Sequence, residues 1–402
     1  MIRSICGDML AQFGQGDNLF NIIWFIMFII FLIFGQRLMT TQAILKLERD
    51  ALDLEATAEK SRGHVLKGLS KKPTSKIKER IKSFMDFFAI PPIDIDPYGV
   101  VKKLDHVIKN SDNRFKLFVN EIDPGLTYEK QSNIKNALAG AMTTYQIAKI
   151  VRHYVETIKK YKMFQMAILL QMQLPPIIKI AKAAEKATRA FVDGMPIGDG
   201  AGPFVIAHLM KGKPKIYEDE EFALSKSKIN GRMVFLSKAR GPGASTGYPG
   251  KFLIKFFKKQ KIDKIITIDA GLRLEGEKTG SIAEGVGIAI GGPGVDRFEI
   301  EELATRMNIP VDAIAIKVSE EEALMPMHMN IVNSVSKAIE AIEDAIGRSK
   351  KSQKILIMGI GNTCGIGNDS KSIVEVQKRI REHNKKMEEK PKKGIFSKRE
   401  TL

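Results

Sequence analysis

Cysteine is almost missing from this chain. Among 402 residues only Cys6 and Cys364 occur, too few and too far apart for a disulfide framework, which fits a reducing compartment. A phosphate-binding loop is missing too. The nearest approach runs over 240–251, but Ser245 stands where a glycine is required, and Phe252 follows Lys251 where Ser or Thr is required. That spacing argues against a nucleotide site there. Aromatic residues make up 7% and do not interleave with the lysines, so the stacking platform of a single-strand nucleic-acid binder is lacking. Nucleic acid is therefore a poor partner for the net charge of +18 (64 Lys and Arg against 46 Asp and Glu). Attraction to anionic lipid headgroups accounts for it more simply if the chain is held at a membrane.

A stretch without charge supplies that condition. Residues 19–35 carry no ionisable side chain and a single amide, Asn21. Their length makes roughly 26 Å of helix, close to the thickness of a hydrocarbon core. Apolar side chains cover every face, unlike the one-sided stripe of a core helix. A cleaved signal peptide is the rival reading. Its apolar core is shorter, its amino end basic and its exit a small-x-small site. Here Arg3 is set against Asp8 and Asp17, and the exit reads Gln36-Arg37-Leu38-Met39. Arg37, Lys46 and Arg49 follow the stretch, so the positive-inside rule puts the amino end outside and the body in the cytoplasm. The expectation is a single-pass protein of the cell membrane.

The remaining chain falls into zones. Residues 1–37 form the amino end and anchor, and 38–90 a charged helical stalk broken at Gly63, Gly68 and Pro73. Proline-rich 91–97 opens a helical region, 91–190, in which Ile134, Leu138, Ala141, Met142 and Tyr145 keep helical spacing. A later helix there carries a methionine-rich face that reads as core filling, and Pro175-Pro176 kinks or restarts it. In 191–377 the pattern changes. Strands are expected at 233–236, 264–268, 286–290, 313–316 and 354–358, with a short one at 191–192 and helices at 251–259, 299–307 and 330–348. That alternation predicts an α/β domain: a mainly parallel sheet flanked by helices, preceded by an all-α region and one N-terminal transmembrane helix. The tail 378–402 is lysine-rich and poor in apolar residues, and reads as disordered or peripheral to lipid.

Glycine-rich loops gather in 191–377. They hold Gly198, Gly200 and Gly202, then Thr246 and Gly247, then Gly292 and Gly294, and finally Gly359-Ile360-Gly361-Asn362. Glycine there permits close approach of backbone to a ligand or another strand. Two acids stand at comparable places: Asp199 in a glycine turn before a helix, and Asp269 at the end of an apolar strand. In a parallel sheet both would face one rim, and His328 follows the strand at 313–316. Two carboxylates and an imidazole could activate a water or hold a divalent metal ion. The plainer readings are an N-cap for Asp199 and a packed side chain for His328.

The turn Gly198-Asp199-Gly200-Ala201-Gly202-Pro203 resembles the G-D-D-G-x-G-P turn of hydrogenase-maturation endopeptidases. Thr246-Gly247, then 264–270 ending in Asp269-Ala270, then 291–294 with Asp296-Arg297, resembles the spore germination protease in motif and order. The resemblance implies a phosphorylase/hydrolase-like α/β fold in which Asp199 and Asp269 are functional, with His328 the candidate for a metal-recognising histidine. Two departures stand out: Pro249 lies where the germination protease has a glutamate, and the G-x-G-N motif falls at 359–362 rather than before Asp199. Taken whole, the chain is also similar to an archaeal family of membrane-anchored proteins, a resemblance that implies no activity. The expected function is a membrane-tethered, peptidase-like hydrolase acting on a protein or peptide. The alternative is a non-catalytic membrane scaffold whose α/β domain binds a protein or small anion.

Overall fold

The structure, a computed structural model, describes residues 18–69, 73–88, 100–288, 291 and 294–389. Gly292, the end of the strand expected at 286–290 and the tail from 390 onward lie outside the described residues.

Helices come first. They are α1 (Asn18–Leu69), α2 (Ser75–Phe88), α3 (Val100–Ile122), α4 (Tyr128–Tyr161) and α5 (Phe164–Val192). Two expected breaks are absent. α1 runs unbroken through Gly63, whose cost of about 1 kcal/mol relative to Ala is small against the packing of a long helix. Gly68 serves packing instead: a Cβ there would stand 2.5 Å from Cδ1 of Ile134. α5 likewise runs through Pro175 and Pro176 and absorbs the strand expected at 191–192 as its last turn. Both prolines are exposed, so the carbonyls they leave unbonded can face water.

The chain divides into two compact units. The first takes the helical residues up to Ala56 together with Ile147–Ile178. Its buried apolar residues are Leu47, Ala51 and Leu54 of α1, Val151, Val155 and Ile158 of α4, and Ala167, Leu170 and Leu174 of α5. Arg152 ties α4 to α1, giving Nε and Nη2 to Glu55 (2.7 and 3.0 Å) and Nη1 to Glu48 (2.5 Å). Among the described residues, α5 is the helix long and apolar enough to cross a membrane, with a mean hydropathy of 1.2, and α1 carries a shorter apolar stretch, Ile22–Phe31.

The second unit holds Thr57–Gln146 and Lys179–Leu402. After α5 come a 3₁₀ turn (Gly198–Gly200) and α6 (Ala201–Leu209), then β1 (Lys215–Tyr217), β2 (Phe222–Ile229), β3 (Arg232–Ala239), α7 (Pro249–Phe257), β4 (Lys264–Leu272) and β5 (Ile282–Val286). α8 (Val295–Arg306), β6 (Val311–Val318), α9 (Glu320–Leu324), α10 (Met329–Asn333), α11 (Val335–Gly347), β7 (Lys354–Gly359) and α12 (Ser370–Glu388) complete it. The strands form one seven-stranded sheet in the order β1-β2-β3-β7-β4-β6-β5.

That sheet is mixed, which corrects the mainly parallel sheet expected. β3, β7, β4 and β6 are parallel neighbours, whereas β1–β2, β2–β3 and β5–β6 are antiparallel. Chain reversal explains both edges. Asn230 and Gly231 both take positive φ (49° and 77°), the two-residue turn that joins antiparallel strands, and no crossover helix separates β4 from β5. Alternate strand residues serve opposite faces: Val234, Leu236, Ile266, Ile268, Ile355 and Ile357 meet α6, α11 and α12, while Phe235, Ile265, Leu356 and Met358 meet α7 and α8. The helical part of this unit lies over the loops at the carboxyl end of the central strands. Ala244 and Cys364 are buried with Ile134, Ala137, Leu138 and Ala141 of α4. Asn133 and Asn136 clamp both backbone groups of Ala244.

Candidate functional site

Pairing between β4 and β7 ends at Ile268↔Gly359, while β4 continues beside β6 through Asp269↔Ala315. Asp269 is thus the first residue of β4 with no β7 partner. The start of α6 fills the space beyond. A Cβ on Gly202 would lie 2.2 Å from Ile268 O and 2.4 Å from Ile360 O, so only glycine lets the helix approach both strand ends. Gly198 and Gly200 are equally tight against Glu322 O (2.1 Å) and Asn362 O (2.7 Å). These three glycines serve chain-to-chain contact, not an open ligand loop. Their approach brings Asp199, in the 3₁₀ turn, to the same place as Asp269.

Each carboxylate is held by backbone N–H groups. Asn362 N donates to Asp199 Oδ2 at 3.0 Å. Ala270 N donates to Asp269 Oδ1 at 2.7 Å, and Gly291 N to its Oδ2 at 3.2 Å. Asp269 is 3% exposed, whereas Asp199 keeps partial solvent contact. Burial lifts the Asp199 carboxyl above its usual range, against the pull of the Asn362 N–H. Asp269 is raised well above its usual range, first by burial and then by the charge of Asp199, and its two N–H donors offset only part of this. The charge of Asp199 thus adds to burial in disfavouring the ionised form of Asp269.

The other expected residues are arranged differently. Thr246 is exposed on the loop after β3. Gly247 takes φ +60°, gives its N–H to Ser245 Oγ at 3.0 Å and packs on Phe222. Gly294 is the left-handed N-cap of α8, with nothing within 4 Å of a Cβ position. His328 is corrected: it is the exposed N-cap of α10, its Nδ1 accepting the N–H of Asn330 at 3.2 Å. Among the described residues no three His, Cys, Asp or Glu side chains gather to hold a metal ion. A divalent ion would need both aspartates ionised and a third strong donor, so the residues here do not fit the Asp199–Asp269–His328 metal set.

Three residues emerge that sequence reasoning gave no role. Asn362, buried at 4%, supplies the N–H that holds Asp199 while its Oδ1 accepts the N–H of Cys364 at 2.9 Å. The glycine spacing of 359–362 was the available signal. Lys238, a lone charge in the apolar run of β3, is fully buried beside Gly359 of β7. Its Nζ donates to Ala239 O (3.0 Å) and Asn368 Oδ1 (2.9 Å), and burial pulls its pKa down to about 7. Asn368 also accepts from Gly241 N and donates to Gly241 O, both at 2.8 Å, which fixes the loop that carries Thr246.

Fold and site together define an α/β domain with a buried Asp269 and a partly exposed Asp199 at the carboxyl end of its central parallel strands, roofed by helices. The chain belongs to the two-domain DUF1512 family: residues 21–194 match its N-terminal domain (protein of unknown function) and 197–367 its C-terminal domain (domain of unknown function). No curated protein and no solved structure matches it.

Proposed function

We propose that this chain is a membrane-tethered, peptidase-like hydrolase in which Asp199 and Asp269 act on one water molecule. The carrying observation is the convergence of the two carboxylates at the ends of β4 and β7, each held by backbone N–H groups where Gly202 lets α6 approach. A pair sharing one proton supplies both an acid and a base. The ionised carboxylate takes a proton from water as it attacks the peptide carbonyl, and the protonated one gives its proton to the developing oxyanion or the leaving amine. Asp199, the more accessible acid, meets the water. The resemblance to the germination protease and the hydrogenase-maturation endopeptidases supports the same two residues and a phosphorylase/hydrolase-like fold.

The tether is 19–35, with the body in the cytoplasm and the basic surface toward anionic lipid. Every side chain from Ile22 to Phe31 is exposed, so this part of α1 has no face set against protein. A second functional reading is a membrane-bound scaffold. It is favoured by the burial of Asp269 and by α4 packed over the neighbouring loops, both of which restrict a substrate. Purified full-length protein incubated with a peptide mixture separates the two. New cleavage products that vanish with Asp199→Asn and Asp269→Asn support the hydrolase; the same products from all three proteins, or none from the unaltered chain, support the scaffold.

A further inference from the structure

The register of the first unit carries a consequence for the turn between α4 and α5. Gln171 Nε2 of α5 donates to Ala43 O of α1 at 3.2 Å. The two helices run in the same direction: α4 is antiparallel to α1, with Arg152 on Glu55 and Lys159 on Glu48, and α5 turns back after Tyr161. Counting back from Gln171 sets Phe164 level with about residue 36 of α1, and counting on from Arg152, which lies between Glu48 and Glu55, sets Tyr161 level with about residue 42. The turn is thus level with the stretch of α1 just beyond the charge-free run 19–35. About 20 residues are needed to cross a hydrocarbon core, so a span beginning at 19 leaves it near residue 38, and the α4–α5 turn falls inside the headgroup region.

The side chains at this turn suit that place. No charged residue occurs from 163 to 178. Ala167, Leu170 and Leu174 are buried, while Met163, Ile168, Leu169 and Met172 face outward with 39, 42, 55 and 73% exposure. Tyr161 at the tip is 62% exposed, and Lys160 Nζ lies 5.2 Å over its ring. Lys160 and Lys162 are exposed as well. An aromatic ring and lysines next to an outward apolar strip are the composition of a membrane interface. α5 does not itself cross, because Leu170 and Leu174 already pack within the unit and Lys179, Lys182 and Glu185 continue the helix.

We infer that the α4–α5 turn is a second membrane contact, seated in an anionic lipid interface beside the anchor through Met163, Ile168 and Leu169, with Lys160 and Lys162 at headgroup phosphates. This rests on reading 19–35 as a span. Depth decreases along α5, and Met172 lies at the outer edge of the headgroups.

Nitroxide labels test it on the full chain carrying Cys6→Ser, reconstituted in phosphatidylcholine–phosphatidylglycerol vesicles. Labels enter at Phe25→Cys, Met163→Cys, Leu169→Cys, Met172→Cys and, as an aqueous reference, Val374→Cys. The ratio of oxygen to nickel-chelate accessibility is expected to be several-fold higher at 163 and 169 than at 374, intermediate at 172 and highest at 25. Water-like ratios at 163 and 169 with a lipid-like 25 overturn the inference and leave the anchor standing. A water-like 25 overturns the anchor and the inference together. Spin–spin broadening at 169 that disappears on dilution with unlabelled protein assigns the face to a second copy and also overturns it.

Discussion

Asp269→Asn should make the protein relatively more stable as pH rises, although it removes a site residue. In the unfolded chain this carboxyl ionises near 3.8, and in the fold it is held well above that by burial and by Asp199. Between those two values the folded state keeps a proton that the unfolded state has lost. Stability then falls with rising pH by up to about 1.4 kcal/mol per unit, and the fall stops above the folded pKa. Asparagine cannot ionise, so the variant escapes this loss. It forfeits one acceptor, since an amide oxygen can serve Ala270 N but the NH₂ group faces Gly291 N, a pH-independent cost of about 1–3 kcal/mol. Asp199 shifts too once its neighbour is uncharged, so the experiment reads the proton uptake of the pair. Denaturant titrations of the detergent-solubilised full chain from about pH 4 to about pH 9 give the difference curve. It should begin with the variant less stable, climb, then level off. Parallel curves for the two proteins would refute the coupling of burial and charge on which the proposed chemistry rests.

Gly202→Ala should destabilise by about 3 kcal/mol or more, because its Cβ would meet two carbonyl oxygens that belong to strand ends and cannot swing aside. Gly285→Ala, at an edge position with nothing within 4 Å, should stay within about 0.5 kcal/mol in the same thermal melts. Lys238 gives the opposite pH signature to Asp269. Its pKa is about 7 in the fold against 10.5 for a solvated lysine, so stability gains with rising pH across that interval. Lys238→Met should abolish this rise, and its persistence would contradict a buried amine. For topology, a C-terminal tag should survive protease added to sealed cells; its removal would reverse the assigned orientation.

Much of the outline was legible from residue order, because it depends on near neighbours. The charge-free run 19–35, the helical spacing before 190 and the apolar strand runs are local patterns, and β3, β4, β6 and β7 appear within a few residues of where those patterns put them, whereas β5 lies at Ile282–Val286 instead of the expected 286–290. The Asn230-Gly231 turn is a local signal too, but 222–229 reads Phe222-Ala223-Leu224-Ser225-Lys226-Ser227-Lys228-Ile229, with no apolar–polar alternation to mark β2, so the antiparallel edge was not expected. What tertiary structure alone decided was which distant segments meet. Asp199 and Asp269 act on each other because β4 lies beside β7 and α6 starts across their ends, a choice governed by burying both faces of the sheet. The same packing used Gly198, Gly200 and Gly202 for backbone contact, brought Asn362 onto Asp199 and closed α4 over the rim. His328 stands at a helix start, where its Nδ1 accepts the N–H of Asn330. Local sequence sets which element forms; the burial of faces contributed by residues far apart sets which side chains share a site.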